Sequence, residues 1–255
     1  MLKQKVNAKF FQQWSSNMAY ILGFIVADGS VHKRKNRKDS YVMNITSKDR
    51  KHLEEIQKVM SSQYKLGLKN NSSTSEKKYS CIQISNKEIC KDLIDLGVVP
   101  RKTYDGLDFI KVSDKYFSDF VRGFFDGDGS VYIYEVNRTR QIKVGFVSSS
   151  LSFITGFNQQ LCKNLNISIK SVHQKIDKRG IRMTLYDICF YVDDCEKLAE
   201  FIYGNNPTLY LSRKRKVFEK WKLIKRRHYT KRKYPSKVGW QLNRKVFTER
   251  LFESL

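Results

Sequence analysis

The chain is short of acid. Asp and Glu number 25 against 49 Lys and Arg in 255 residues, leaving a formal net charge of +24. Such an imbalance works against compactness unless a polyanion compensates it. Nucleic acid is the usual one, although ribosomal and membrane-surface proteins share the bias. Long apolar runs are missing too. None approaches the ~18 residues of a membrane span, so no membrane partner is expected, and Met1 begins no secretory signal pattern. The five cysteines (Cys81, Cys90, Cys162, Cys189, Cys195) form no CxxC pair and are odd in number. That speaks against zinc. It points to reduced, mostly buried thiols in an intracellular compartment, an organelle matrix or bacterial cytoplasm.

What is present argues for a folded core. Aromatic residues make up 13% of the chain and hydrophobic ones 40%, so this is not a disordered basic tail. The length suits one large domain or two small ones. The organising feature is a stretch that occurs twice: AYILGFIVADGSV at 19–31 and DFVRGFFDGDGSVY at 119–132. Gly23, Phe24, Asp28, Gly29, Ser30 and Val31 fall on Gly123, Phe124, Asp128, Gly129, Ser130 and Val131, at a constant offset of 100 residues. Each copy is an apolar helical pattern that ends at an acid and a glycine and runs into a strand.

Gly23 and Ala27, four residues apart, lie on one helix face, as do Gly123 and Gly127. Small residues at that spacing let two backbones approach closely. Packed face to face, the two helices would bring Asp28 and Asp128 side by side at their C-termini, where the helix dipole disfavours anions. Two carboxylates forced together there call for a cation, and paired Asp residues holding divalent metal suit phosphodiester chemistry. A plainer reading stays open at this point: an internal duplication whose glycines cap two core helices.

The remaining order repeats as well. Residues 1–16 are a polar lead-in, with Ser16 or Asn17 as the cap of the first motif helix. Strands are predicted near 30–35 and 41–47, then a helix carrying Leu53, Ile56 and Val59. A second hairpin (YKLGLK, YSCIQIS) is followed by a helix from an Asn86 cap to Gly97. The second half gives helix 114–127, strands near 130–137 and 141–148, and a helix near 151–164. Strands near 168–176 and 181–191 follow, then helix 193–203 from the cap pair Asp193 and Asp194. A last helix should reach about residue 227 through an intensely basic run. The expected fold is α+β: two pseudo-symmetric α-β-β-α-β-β-α halves packed through the motif helices. Each half carries an antiparallel sheet covered on one face, and the two sheets form a saddle able to straddle a duplex. The halves are placed at 1–105 and 106–227, with a basic C-terminal extension at 228–255.

The stretches ILGFIVADG (Ile21 to Gly29) and VRGFFDGDG (Val121 to Gly129) resemble the signature of the LAGLIDADG homing endonucleases in their single-chain, two-motif form. The likeness covers most of residues 15–225. One departure is visible: the family's first acidic position is Asp126 in the second copy but Val26 in the first. The resemblance implies the saddle architecture and a monomeric, magnesium-dependent enzyme that cuts both strands of a long DNA target across the minor groove, leaving short 3′ overhangs. It implies Asp28 and Asp128 as catalytic metal ligands, assisted by the carbonyls of Ala27 and Gly127. It also implies a basic residue near each site, Lys102 in PRKT and Lys214 in SRKR, and solvent-organising hydroxyls at Ser47 and Ser148.

Strand alternation proposes Ser30, His32, Arg34, Asn44, Thr46, Tyr132, Tyr134, Lys143, Arg182 and Thr184 as DNA readers. His32, His52, His173 and His228 form no metal-spaced cluster, so each reads as a surface or DNA-facing residue rather than a catalytic base. No flanking intein segments are evident, which favours an intron-encoded or free-standing protein. Two rivals remain: a maturase bound to its host intron RNA, and a DNA-binding regulator on the same scaffold.

Overall fold

The computed structural model describes residues 5–34, 40–70, 78–100, 106–177 and 183–224. Helix α1 (Ser16–Asp28) is buried on nearly every side from Met18 to Ala27, as expected of a helix that is apolar all round. Its cap is Ser15, one residue before the expected pair, whose side chain accepts from the Met18 N–H at 3.1 Å. Then follow β1 (Gly29–Lys33), β2 (Tyr41–Ser47), α2 (Arg50–Val59), β3 (Gly67–Asn70), β4 (Lys78–Ile84) and α3 (Lys87–Asp95). The predicted Asn86 cap is present, accepting from the Ile89 N–H at 3.0 Å.

The second half repeats the order with α4 (Asp114–Asp128), β5 (Ser130–Val136), β6 (Thr139–Ser148), α5 (Leu151–Leu165), β7 (His173–Asp177), β8 (Met183–Tyr191) and α6 (Val192–Tyr203). A further helix, α7 (Ser212–Leu223), folds back onto it through Phe218, whose ring lies 5.8 Å from that of Phe125. The seventh strand starts five residues later than expected. Asp193 and Asp194 stand in the first turn of α6 behind the cap residue Tyr191, where they favour the helix dipole rather than closing the end.

Both sheets are four-stranded and antiparallel, in the orders β1-β2-β4-β3 and β5-β6-β8-β7. Val31, Met43, Ile45, Ile82 and Ile84 turn to the helices in the first half, and Ile142, Val144, Phe146, Ile188 and Phe190 in the second. The period of two leaves the opposite face of each sheet uncovered by its helices.

The two halves meet through α1 and α4. A Cβ on Gly23 would stand 2.1 Å from the Phe120 carbonyl oxygen, and one on Gly123 would stand 1.9 Å from that of Tyr20. These are backbone-on-backbone contacts that no larger residue permits. The helices end in extended backbone: Gly29 has φ −93° and Gly129 φ −70°. Neither is a left-handed cap. Glycine is needed because a Cβ would lie 2.8 Å from the Ile25 carbonyl oxygen in one case and 2.5 Å from that of Phe125 in the other.

Candidate active site and nucleic-acid interface

Each motif helix delivers one acid to solvent at its last residue. Asp28 immediately precedes β1, Asp128 stands two residues before the first residue of β5, and both are exposed. Each also borders the opposite helix. A Cβ on Gly127 would meet the Ala27 Cβ at 2.2 Å and the Asp28 carboxyl carbon at 3.5 Å. Asp128 lines a crevice with Val26, Ala27, Leu107 and Ser148. Each acid thus stands at the end of its own helix and borders the end of the other, Asp28 next to Gly127 and Asp128 in the crevice with Ala27.

Behind this surface lies a buried polar cluster. Asp126 is 1% exposed. Its Oδ2 accepts from the Tyr20 hydroxyl at 2.7 Å and from the Leu211 N–H at 2.8 Å. Oδ1 has no hydrogen-bond partner among the described residues. Burial raises the pKa of this carboxyl, against the opposing pull of the Lys214 ammonium and the two hydrogen bonds. The Tyr20 hydroxyl also meets His52 Nε2 at 2.8 Å.

Lys214 is 6% exposed and sits at the end of α4. Its Nζ donates to the carbonyl oxygens of Phe125 (2.6 Å), Asp126 (2.9 Å), Gly127 (3.2 Å) and Gly129 (2.6 Å). Burial lowers its pKa to about 8; Asp126, Asp28 and Asp128 pull it up, while Arg213 adds to the lowering. Nearby, Arg122 donates to the carbonyls of Leu209 and Ile202 and to Asp119, and its guanidinium lies 5.2 Å from the centre of the Tyr20 ring.

A model of the LAGLIDADG-like domain matches the chain twice, over residues 15–95 and 118–203. The chain belongs to that family. An uncharacterized protein of Methanocaldococcus jannaschii is 27% identical over 191 residues, which cover 72% of this chain and 61% of that protein. Among solved structures, the LAGLIDADG homing endonuclease I-GzeII in complex with its DNA target aligns with a TM-score of 0.53 at 11% identity, covering 82% of this chain and 89% of that one. Variants of the homing endonuclease I-DmoI align with a TM-score of 0.48 at 14% identity, over 78% and 97%. At these identities the likeness is one of fold.

In this LAGLIDADG member the first acidic position of the second motif, Asp126, is a core residue that bonds across the helix pair, and Val26 is its apolar counterpart in the first. The serine pair is also placed symmetrically. Ser47 accepts from the Asp49 N–H and Ser148 from the Ser150 N–H, each at 3.1 Å, so both hydroxyls close the turn into the following helix. Ser148 additionally borders the crevice at Asp128.

On the uncovered sheet faces, pairing groups Ser30, His32, Asn44 and Thr46 in one half and Tyr132, Tyr134 and Lys143 in the other. Arg34, just past β1, donates to the Ser85 hydroxyl at 2.5 Å. Thr184 pairs with Ile176 and shares the parity of Ile188 and Phe190, the helix-covered side, so the structure separates it from the other candidates. Lys102, Arg182 and His228 lie outside the described residues.

Alternation also supplies positions not singled out in the sequence: Lys69, Tyr79, Cys81 and Gln83 in the first sheet, and Gln141, Asp187, Cys189 and Tyr191 in the second. His52 corrects an expectation. It is 4% exposed rather than at the surface, because it shares a helix face with Ile56, four residues on.

Proposed function

We propose that this chain is a site-specific endonuclease that hydrolyses both strands of double-stranded DNA, with divalent metal, physiologically magnesium, held by Asp28 and Asp128. One observation carries the reading: the two signature acids converge at the contact of α1 and α4, each against the other half's helix end. The donor set fits such an ion. Two carboxylates and the carbonyls of Ala27 and Gly127 are hard oxygen ligands, and substrate phosphate and water can complete the coordination. Gly127 lets the two helix ends come this close, since a Cβ there would stand 2.2 Å from the Ala27 Cβ. Bound there, the metal supplies Lewis-acid neutralisation of the phosphate and a water of lowered pKa.

The chain's own residues then divide the work. Asp28 and Asp128 hold charge at the pseudo-twofold axis, one for each strand. Ser47 and Ser148 fix the turns into the following helices, and Ser148 does so at the crevice that Asp128 lines. Ser30, His32, Arg34, Asn44, Thr46, Tyr132, Tyr134 and Lys143 meet base edges or phosphates along the uncovered sheets, where a two-stranded ribbon suits the major groove. Arg182 and, from the resemblance, Lys102 complete the assignment by sequence alone, with Lys102 serving the developing negative charge. Because both acids come from one chain, a monomer completes the site. An intron-encoded or free-standing origin follows from the sequence reading.

Incubating the protein and magnesium with a DNA library containing the uninterrupted insertion site tests this. A linear product cut at one position is expected. If no member is cut, yet the protein accelerates splicing of its host intron with Asp28 and Asp128 both replaced by Asn, the RNA maturase reading holds instead.

A further inference from the structure

Asp128 lies between clamped carbonyls. An α-helix ends with four carbonyl groups that lack intrahelical partners, and in α4 these belong to Phe125 through Asp128. The Gly129 N–H takes one bond, to Phe125, at 2.9 Å. Lys214 reaches in from α7 and takes Phe125, Asp126 and Gly127, then Gly129 beyond the acid. Four acceptors thus surround three N–H donors. None of this ammonium's hydrogen bonds among the described residues goes to a carboxylate, and the Phe125 ring lies 5.0 Å from it. A proton donor or a phosphate clamp must present a free N–H to substrate. This one is turned inward, at the end of the helix where the dipole and three acids gather negative charge.

We propose that Lys214 is a positioning residue: a tethered internal cation that caps α4 and, by holding the carbonyls on both sides of Asp128, fixes the direction of that carboxylate and of the Gly127 carbonyl. The inference rests on reading Asp128 and Gly127 as metal ligands. It assigns Lys214 an effect on metal affinity rather than on the chemical step.

Lys214→Ala removes three methylenes and the ammonium, a gap with the shape of propylammonium. Lys214→Met keeps the apolar stem but not the donors. Both variants should melt below the wild type. Each should need about tenfold more calcium for the same calcium-induced rise in melting temperature, the equivalent of ~1.4 kcal/mol. Propylammonium, and not 1-propanol, should restore the Ala variant in both measurements and lower the magnesium it requires for cutting. If Lys214→Ala does not fold, refolding it with propylammonium present gives the same readout, and recovery there supports the cap. The proposal is overturned if Lys214→Met keeps the wild-type melting temperature and calcium response while cutting falls at saturating magnesium, for that is a catalytic group. It is overturned equally if propylammonium restores nothing. Failure of the nuclease reading looks different: the wild type neither cuts nor responds to calcium, while the melting loss and its repair by propylammonium persist.

Discussion

The Tyr20 hydroxyl donates to Asp126 Oδ2 at 2.7 Å across the helix pair, joining residues 106 positions apart in the chain. Both partners are buried, so the bond is a cross-link between the two halves. Tyr20→Phe leaves the ring in place and strips one partner from a carboxyl that has already lost its water. A loss of about 1–3 kcal/mol is expected, seen as a lower urea midpoint at unchanged slope. An unchanged midpoint would mean that the halves are held by apolar packing alone.

The same carboxyl makes stability depend on pH. Burial raises its pKa in the folded chain, so the folded state keeps a proton that the unfolded state has released. The contribution is full below the ordinary carboxylate value of ~3.9 and declines as pH rises toward the folded value. Asp126→Asn removes the titration. The difference in unfolding free energy between wild type and variant should therefore shift in the variant's favour as pH rises from ~4 to neutrality. A difference that is flat across this range would contradict it.

The glycines of the helix contact give a steric prediction. A methyl at Gly123 would stand 1.9 Å from a backbone oxygen and 2.9 Å from a backbone nitrogen, neither of which can rotate away. Gly123→Ala should cost at least the upper part of the ~1–3 kcal/mol range for overpacking. Gly106→Ala has no neighbour within 4 Å, and its cost is confined to a positive φ of 80°. Thermal melts of the two variants separate contact from backbone strain.

How much of this the sequence shows depends on range. The helix pair and its acids are legible because a Gly-x-x-x-small face and an acid one residue beyond it are local patterns, written twice at one offset. The first cap is missed by one residue because Ser15 and Ser16 have the same chemistry and only the backbone distinguishes them. Tyr20, His52 and Asp126 converge only after α1, α2 and α4 have packed, and no spacing along the chain encodes that. His52 carried a signal in its position four residues before Ile56, on the face that also carries Leu53 and Met60. For Lys214 the residue is legible and its direction is not: a basic residue expected beside the acids reads as a group facing substrate until the carbonyls around it are seen.

Cysteine reactivity probes the interface independently of cutting. Cys81 and Cys189 are half-buried on the uncovered faces of the two sheets, whereas Cys90, Cys162 and Cys195 are buried. Burial pushes the Cys90 and Cys195 thiols up to about 11 and about 12, so few thiolates form there. Alkylation of the folded protein should label Cys81 and Cys189 first, and target DNA should protect both. Protection of neither would move the DNA off the sheets.

The last prediction concerns the acids themselves. Asp28→Asn and Asp128→Asn keep size and shape while removing charge from groups that are exposed and outside the core, so folding should change little. If metal is held between them, each substitution should lower the cutting rate by on the order of 100-fold or more, about 2.7 kcal/mol of lost transition-state stabilisation. DNA binding should survive, because affinity comes chiefly from the basic surface. A net charge of +24 suits roughly 8–12 phosphate contacts, each adding about −0.9 to the slope of log affinity against log salt. That slope should be the same in wild type and both variants. Calcium should support binding with little cutting, being the larger and weaker Lewis acid. A strand-resolved assay adds the sharpest test: with one acid per strand, a single substitution that leaves residual activity should yield more nicked than linear product. Two Asn variants that cut both strands at the wild-type rate in magnesium would remove Asp28 and Asp128 from the chemistry altogether.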